Sequence, residues 1–182
     1  MSKVDRLLEN FRSHISIPWK EDLAAPQRVI FCVYDTTDEK HLRAKIDEFQ
    51  LASENSKHEW LGYDLTDTFA KWLSAEPYAI QYYKNPELLP TIIPRYLDYV
   101  VEKISQFIVS HSIDEDHVLA LSGVGSLFGI IRVKELVDRL APGVPGRLVV
   151  FFPGTYGDNN FKLLGGYDGW DYHAVVITAG KD

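Results

Sequence analysis

The stretch "VLALSGVGSLFGIIR", residues 118–132, decides how the chain is read. An apolar run closes on Ser122, glycines follow at 123, 125 and 129, and apolar residues then recur at helical spacing. Strand, glycine turn and helix start is the layout of a phosphate-binding loop. The details depart from it. A P-loop needs a lysine to reach the outer phosphates and a following hydroxyl to hold magnesium. Here Phe128 and Ile130 stand five residues beyond Gly123 and Gly125. The dinucleotide fingerprint fails as well, because the third glycine arrives one residue late, at Gly129. Backbone N–H groups over residues 125–128 still offer an anion site without a lysine. Gly123, Gly125 and Ser126 are therefore candidate anion or nucleotide contacts. The plainer reading is a tight strand-to-helix corner, with glycines where a side chain would clash.

Outward from that corner the chain alternates strands and helices. Upstream, "RVIFCVYD" (28–35) is apolar on both faces, as a central parallel strand is. The next segment predicts a helix with Leu42, Ile46 and Phe49 on one face, capped by Thr37 with Asp38 and Glu39 in its first turn. Residues 57–65 read as a second strand. Thr66 then caps a helix that carries Phe69, Trp72 and Leu73. Residues 95–112 form a longer amphipathic helix, 117–122 a strand and roughly 126–140 a helix. Downstream, 147–154 is a strand ended by Pro-Gly, 155–170 a polar loop or small hairpin, and 172–179 a last strand able to pair either way.

Ahead of all this, Val4, Leu7, Leu8 and Phe11 mark a helix over 3–15, and 16–27 is a connector. Residues 77–94, with four prolines and three tyrosines, form an irregular excursion. The pattern predicts one α/β domain over 1–182. Its architecture is a three-layer Rossmann-like sandwich, degenerate P-loop-like in layout, with a mostly parallel sheet of about five strands.

Composition narrows the function classes. Hydrophobic residues make up 46% and charged residues 25%, enough for a packed core. A net charge of −7 argues against a protein that mainly neutralises a phosphate backbone. The single cysteine, Cys32, excludes a disulfide framework within one chain and reads as a buried, inert thiol. The N-terminal residues lack the apolar core of a signal peptide, so the expectation is a soluble cytoplasmic protein.

Candidate chemistry gathers at the strand ends, where parallel α/β folds bind ligands. "YDTTD" and "YDLTD" place Asp35 and Asp64 after the first two strands. Two carboxylates there are a candidate magnesium site. They are also ordinary capping residues at two strand-to-helix corners. The six histidines show no metal-ligand spacing, and neither Ser122 nor Ser126 lies in GxSxG. Tyrosines are abundant, and tyrosine anchors protein interfaces. The segment 77–96 and the loop 153–172 are the first candidates for a partner surface, with Tyr82, Tyr83 and Tyr156 foremost. Arg132, read as one turn into the helix after the glycines, is the charged group to test there. It would pair with Asp35 or Asp64, or face a partner.

The blocks "RVIFCVYDTTDE", "YDLTD", "VLALSGVGSLFGIIRVKELVDRL", "GRLVVFFPGTYGDNNFKLL" and "DGWDYHAVVITA" together resemble the BrxB family of BREX (bacteriophage exclusion) defence systems. GVGSLF followed by Ile-Arg, then FFPG with tyrosine, is the specific combination. The resemblance implies an anti-phage component that works beside a methyltransferase, a large ATPase, a protease-like subunit and the phosphatase-like PglZ. It implies a non-catalytic role with PglZ as direct partner; the chain itself is expected to carry no cofactor. It marks Gly123, Gly125, Ser126, Leu127, Arg132, Pro153, Gly154 and Tyr156 without giving them roles. The alternatives from the residues are a metal- or nucleotide-dependent enzyme or sensor using Asp35, Asp64 and the glycine turn, or a subunit that binds DNA through a local basic patch.

Overall fold

The structure, a computed structural model of the chain, describes residues 1–170 and 173–180. Among these residues the strands are β1 (Val29–Tyr34), β2 (Glu59–Asp64), β3 (His117–Ser122), β4 (Arg147–Gly157), β5 (Asn160–Leu163), β6 (Gly166–Trp170) and β7 (Val175–Ile177). The helices are α1 (Lys3–Ile15), α2 (Glu39–Asn55), α3 (Thr68–Ser74), α4 (Ala79–Lys84), α5 (Ile93–Ser110) and α6 (Val133–Leu140).

The main sheet runs β2-β3-β4-β1-β7, with every neighbouring pair parallel. β1 is central and buried throughout, in agreement with its unbroken apolar run. Its side chains alternate between two cores. Ile30, Cys32 and Tyr34 pack with Val118, Val149 and Phe151 under α1 and α2. Val29, Phe31 and Val33 pack with Leu119, Leu121 and Phe152 under α3, α5 and α6. The period of two along each strand thus builds the expected three layers. α5 turns Tyr96, Val100, Ile104 and Ile108 inward at four-residue spacing, and the Tyr96 hydroxyl meets Thr68 at 2.8 Å.

Several sequence expectations are corrected. The glycine turn does not open a helix at 126. Residues 124–127 form one 3-10 turn, Gly129 sits at φ +74, and α6 begins only at Val133. A left-handed residue stops a right-handed helix from propagating, so Arg132 precedes α6 rather than lying a turn inside it. Thr37 and Thr66 are not helix caps. Thr37 lies in a 3-10 turn, and α2 and α3 start after Asp38 and Asp67. Pro-Gly does not end β4: Pro153 is opposite Tyr34 in the parallel ladder, and the strand continues to Gly157. Beyond Pro153, β4 leads into the antiparallel strands β5 and β6, so residues 155–170 are a hairpin extension. The last strand is shorter than expected and pairs parallel with β1, while Tyr172 lies outside the described residues. The segment 77–94 folds as α4, a 3-10 turn over Pro86–Thr91 and the start of α5.

Candidate functional site

The echo of YDTTD and YDLTD is one turn built twice. Asp35 Oδ1 accepts hydrogen bonds from the Thr37 amide (2.9 Å) and hydroxyl (2.8 Å). Asp64 Oδ1 accepts from the Thr66 amide (2.9 Å) and hydroxyl (2.6 Å). Each aspartate closes an Asx turn where a parallel strand ends. These bonds hold the Asp35 carboxyl below its ordinary range. Burial pushes Asp64 up, but the Thr66 bonds and Arg43 outweigh it, and its carboxyl also titrates low.

The glycine turn rests against the second of these turns. Gly123 adopts φ +70, and a Cβ there would meet Asp64 Oδ1 and Thr66 Oγ1 at 2.4 Å each. This position requires glycine both for its backbone angle and for the close approach. Ser126 donates its hydroxyl to the carbonyls of Gly123 (2.7 Å) and Leu65 (3.0 Å), tying the two loops together. The amides of Ser126 and Phe128 are spent on the Gly123 and Gly125 carbonyls. Arg43, which the sequence reading missed, reaches in from α2. It pairs with Glu39 at 2.7 Å and Asp64 at 3.4 Å, and donates to Thr66 Oγ1 at 2.8 Å. Glu39 in turn accepts from the Tyr34 hydroxyl. A cleft of about 240 Å³ remains, lined by Glu39, Arg43, Thr66, Gly123, Gly125 and Ser126.

Asp35 lies on a different cavity. It shares about 550 Å³ at the ends of β1, β4 and β7 with Lys3, Tyr34, Thr155, Tyr156 and Thr178. Asp35 and Tyr156 therefore line one cavity, whereas Asp64 belongs with Arg43 and the glycines. Among the described residues, no group of three or more His, Cys, Asp or Glu side chains is placed to hold a metal ion. Tyr156 is half-buried and packs against Phe161 with ring centres 4.8 Å apart and planes tilted by 42°.

Arg132 faces a third site. Its guanidinium sits 5.6 Å from the Tyr167 ring, in a groove of about 720 Å³ that also takes in Phe128, Glu135 and Asp168. It pairs with neither Asp35 nor Asp64. Asp168 is the second residue the sequence reading missed. It is buried, and its carboxylate accepts from the amides of Val133 (2.8 Å) and Lys134 (2.9 Å), capping α6 from the hairpin. Burial pushes its carboxyl up, against the pull of those two amides.

The partner-surface candidates divide along α4. Tyr82 packs against the core, while Tyr83 is 56% exposed. Beside Tyr83 the excursion exposes Tyr78 (70%), Ile80 (65%) and Leu88 (41%). Ile80 and Tyr83 lie three residues apart, on one helical face.

The architecture is that of a layered α/β protein with a parallel sheet whose strand-end loops are extensively cross-bonded. A family model described as BREX protein BrxB matches residues 67–177, more than half of the chain. The chain belongs to this family and is a component of a BREX anti-phage defence system. The match begins after β2. It takes in α3 to β7 with the glycine turn, Arg132 and Tyr156, and leaves Asp35 and Asp64 outside. No curated protein and no solved structure matches the chain. Among the described residues no helix is long and apolar enough to cross a membrane.

Proposed function

We propose that the chain is a non-catalytic adaptor of its BREX assembly, binding the phosphatase-like PglZ subunit in the cytoplasm through the exposed face of 78–88. The observation that carries this is the apolar exposure of Tyr78, Ile80, Tyr83 and Leu88 within eleven residues. Large apolar side chains clustered on a surface lose water contact favourably when a partner covers them. Aromatic residues of this kind are common anchors of protein interfaces. Tyr156 and Arg132 are secondary contacts on the hairpin side.

The strand-end groups support the same reading from the other direction. Asp64, Arg43, Thr66 and Glu39 are engaged with one another, and a nucleotide or magnesium ion would have to displace those bonds. The test is co-purification of the tagged chain with the other subunits of its own operon. Wild type is expected to bring down PglZ, and Ile80→Asp with Tyr83→Asp to lose it while keeping the wild-type melting temperature. Retention of PglZ by that double variant removes the surface from consideration. Separate elution of the wild-type pair at micromolar concentration removes the adaptor reading altogether.

A further inference from the structure

At the opposite, amino end of the sheet, the entries to β1, β2, β3 and β4 surround a cavity of about 920 Å³. Its wall carries Trp19, Arg28, His58 and Arg147. Arg147 opens β4 and is only 7% exposed. Its guanidinium lies 4.5 Å from the Trp19 ring centre, and the same indole stacks on His58 at 3.5 Å with an interplanar angle of 4°. Two of its N–H groups donate to main-chain carbonyls, Gly146 at 3.2 Å and Lys20 at 3.4 Å. Guanidinium has more donors than these two bonds use, and no carboxylate among the described residues pairs with Arg147. Among the described residues Arg28 likewise donates only to the carbonyls of Leu23, Ala141 and Val144. The Nδ1 atom of His58 is buried without a hydrogen-bond partner among the described residues.

These are buried and half-buried cations without an ion-paired carboxylate among the described residues, inside a protein of net charge −7, in a cavity that Lys20, Glu21, Asp22, Glu115 and Asp116 also line. Burial depresses the Arg147 pKa, and the charge of Arg28 depresses it further. Burial and the charge of Arg147 depress both His14 and His58, opposed at His58 by Asp116. Buried cations are normally neutralised by a paired anion. The acids near this one, Glu21, Asp22, Glu115 and Asp116, are exposed and pair with neither arginine.

We infer that the cavity is a binding site for a compact oxyanion, of phosphate or carboxylate type, seated on Arg147. A planar guanidinium matches such oxyanions through paired N–H donors. This inference stands independently of the adaptor reading, because it uses neither the 78–88 surface nor the strand-end turns.

The experiment is a thermal melt of the full chain in millimolar inorganic phosphate or citrate, against chloride at matched ionic strength. Wild type is expected to gain about 3–5 °C with one of the two anions. Arg147→Met is expected to gain nothing, and in chloride to melt at or above wild type, because it removes the unpaired charge. Response to phosphate alone identifies the phosphate type, and response to citrate alone the carboxylate type. No shift with either, or an equal shift in wild type and variant, overturns the site. Should Arg147→Met fail to fold, the His58 ring titration of the wild type decides by NMR. An anion on Arg147 raises its midpoint, and a midpoint indifferent to both anions overturns the proposal.

Discussion

The two ends of the parallel sheet solve the same problem in opposite ways. At the carboxyl end, where α/β proteins place their ligands, the polar groups satisfy each other. Asp35 and Asp64 are folded onto their threonines, Arg43 bridges Glu39, Asp64 and Thr66, and the space above Gly123 is taken by Asp64. At the amino end, Arg147 and His58 Nδ1 are buried with donors and a ring nitrogen left over. The end that carries recognisable motifs is closed by its own bonds, and the end without a motif has open valences. A motif marks where chemistry commonly sits in a fold, whereas an unpaired buried charge marks where it remains to be completed.

The sharpest way to break this comparison is to disturb the closure at Gly123. Gly123→Val combines a left-handed backbone with a Cβ at 2.4 Å from Asp64 and Thr66. It is expected to cost about 3–4 kcal/mol by urea unfolding. Gly129→Ala has a similar backbone angle, φ +74, but open space around the new atom. It is expected to cost about 1 kcal/mol. Equal losses would mean that the packing of the glycine turn on the Asp64 turn is not what holds that end together.

A smaller effect belongs to Asp168, which closes the start of α6. Asp168→Ala leaves two helix amides without their acceptor and is expected to cost about 1–2 kcal/mol. Asp168→Asn, which keeps an acceptor oxygen, costs less. Smaller still is Arg43→Met. Its ion pairs are partly exposed, so a loss below about 1 kcal/mol is expected. The matching Arg147→Met change at the other end has the opposite sign and leaves stability unchanged or raised. Loss of stability in both arginine variants would erase the contrast between the two ends.

Much of this was legible in the sequence, and the misses have common causes. β1 announced its central place through six consecutive apolar residues, and β3 through the run before Ser122. The paired readings of Asp35 and Asp64, ligand or corner, were both visible, and geometry shows the corner bonds. The late start of α6 was hidden because apolar spacing continued through Gly129, which only its positive φ reveals as a break. Asp168, Arg43 and Arg147 were missed for one reason. Their roles depend on partners 20 to 130 residues away, or on the absence of any, and no local spacing encodes either.

The smallest predicted effect is in acid. Asp35 and Asp64 both titrate below the ordinary value of 3.8 in the folded chain. Their contribution is complete above that value and is lost as the pH falls through the lower, folded values. Asp168 titrates above 3.8 and works with the opposite sign, its contribution fading as the pH rises through its folded value. Stability against pH for Asp35→Asn and Asp64→Asn should therefore fall less steeply below pH 4 than for wild type, whereas Asp168→Asn should differ from wild type above pH 3.8, lacking the loss of stability that wild type shows as the pH rises through the raised folded value of Asp168. Superimposable profiles would contradict the hydrogen-bonded turns.

The central claim, that this BREX component works through an exposed apolar face and not through its strand-end groups, is tested most directly by one parallel pull-down. The tagged chain is expressed with its operon partners as wild type, as Ile80→Asp with Tyr83→Asp, and as Arg43→Met. The expected result is PglZ recovered with wild type and Arg43→Met and lost with the double variant. PglZ retained by the double variant and lost with Arg43→Met would contradict the account.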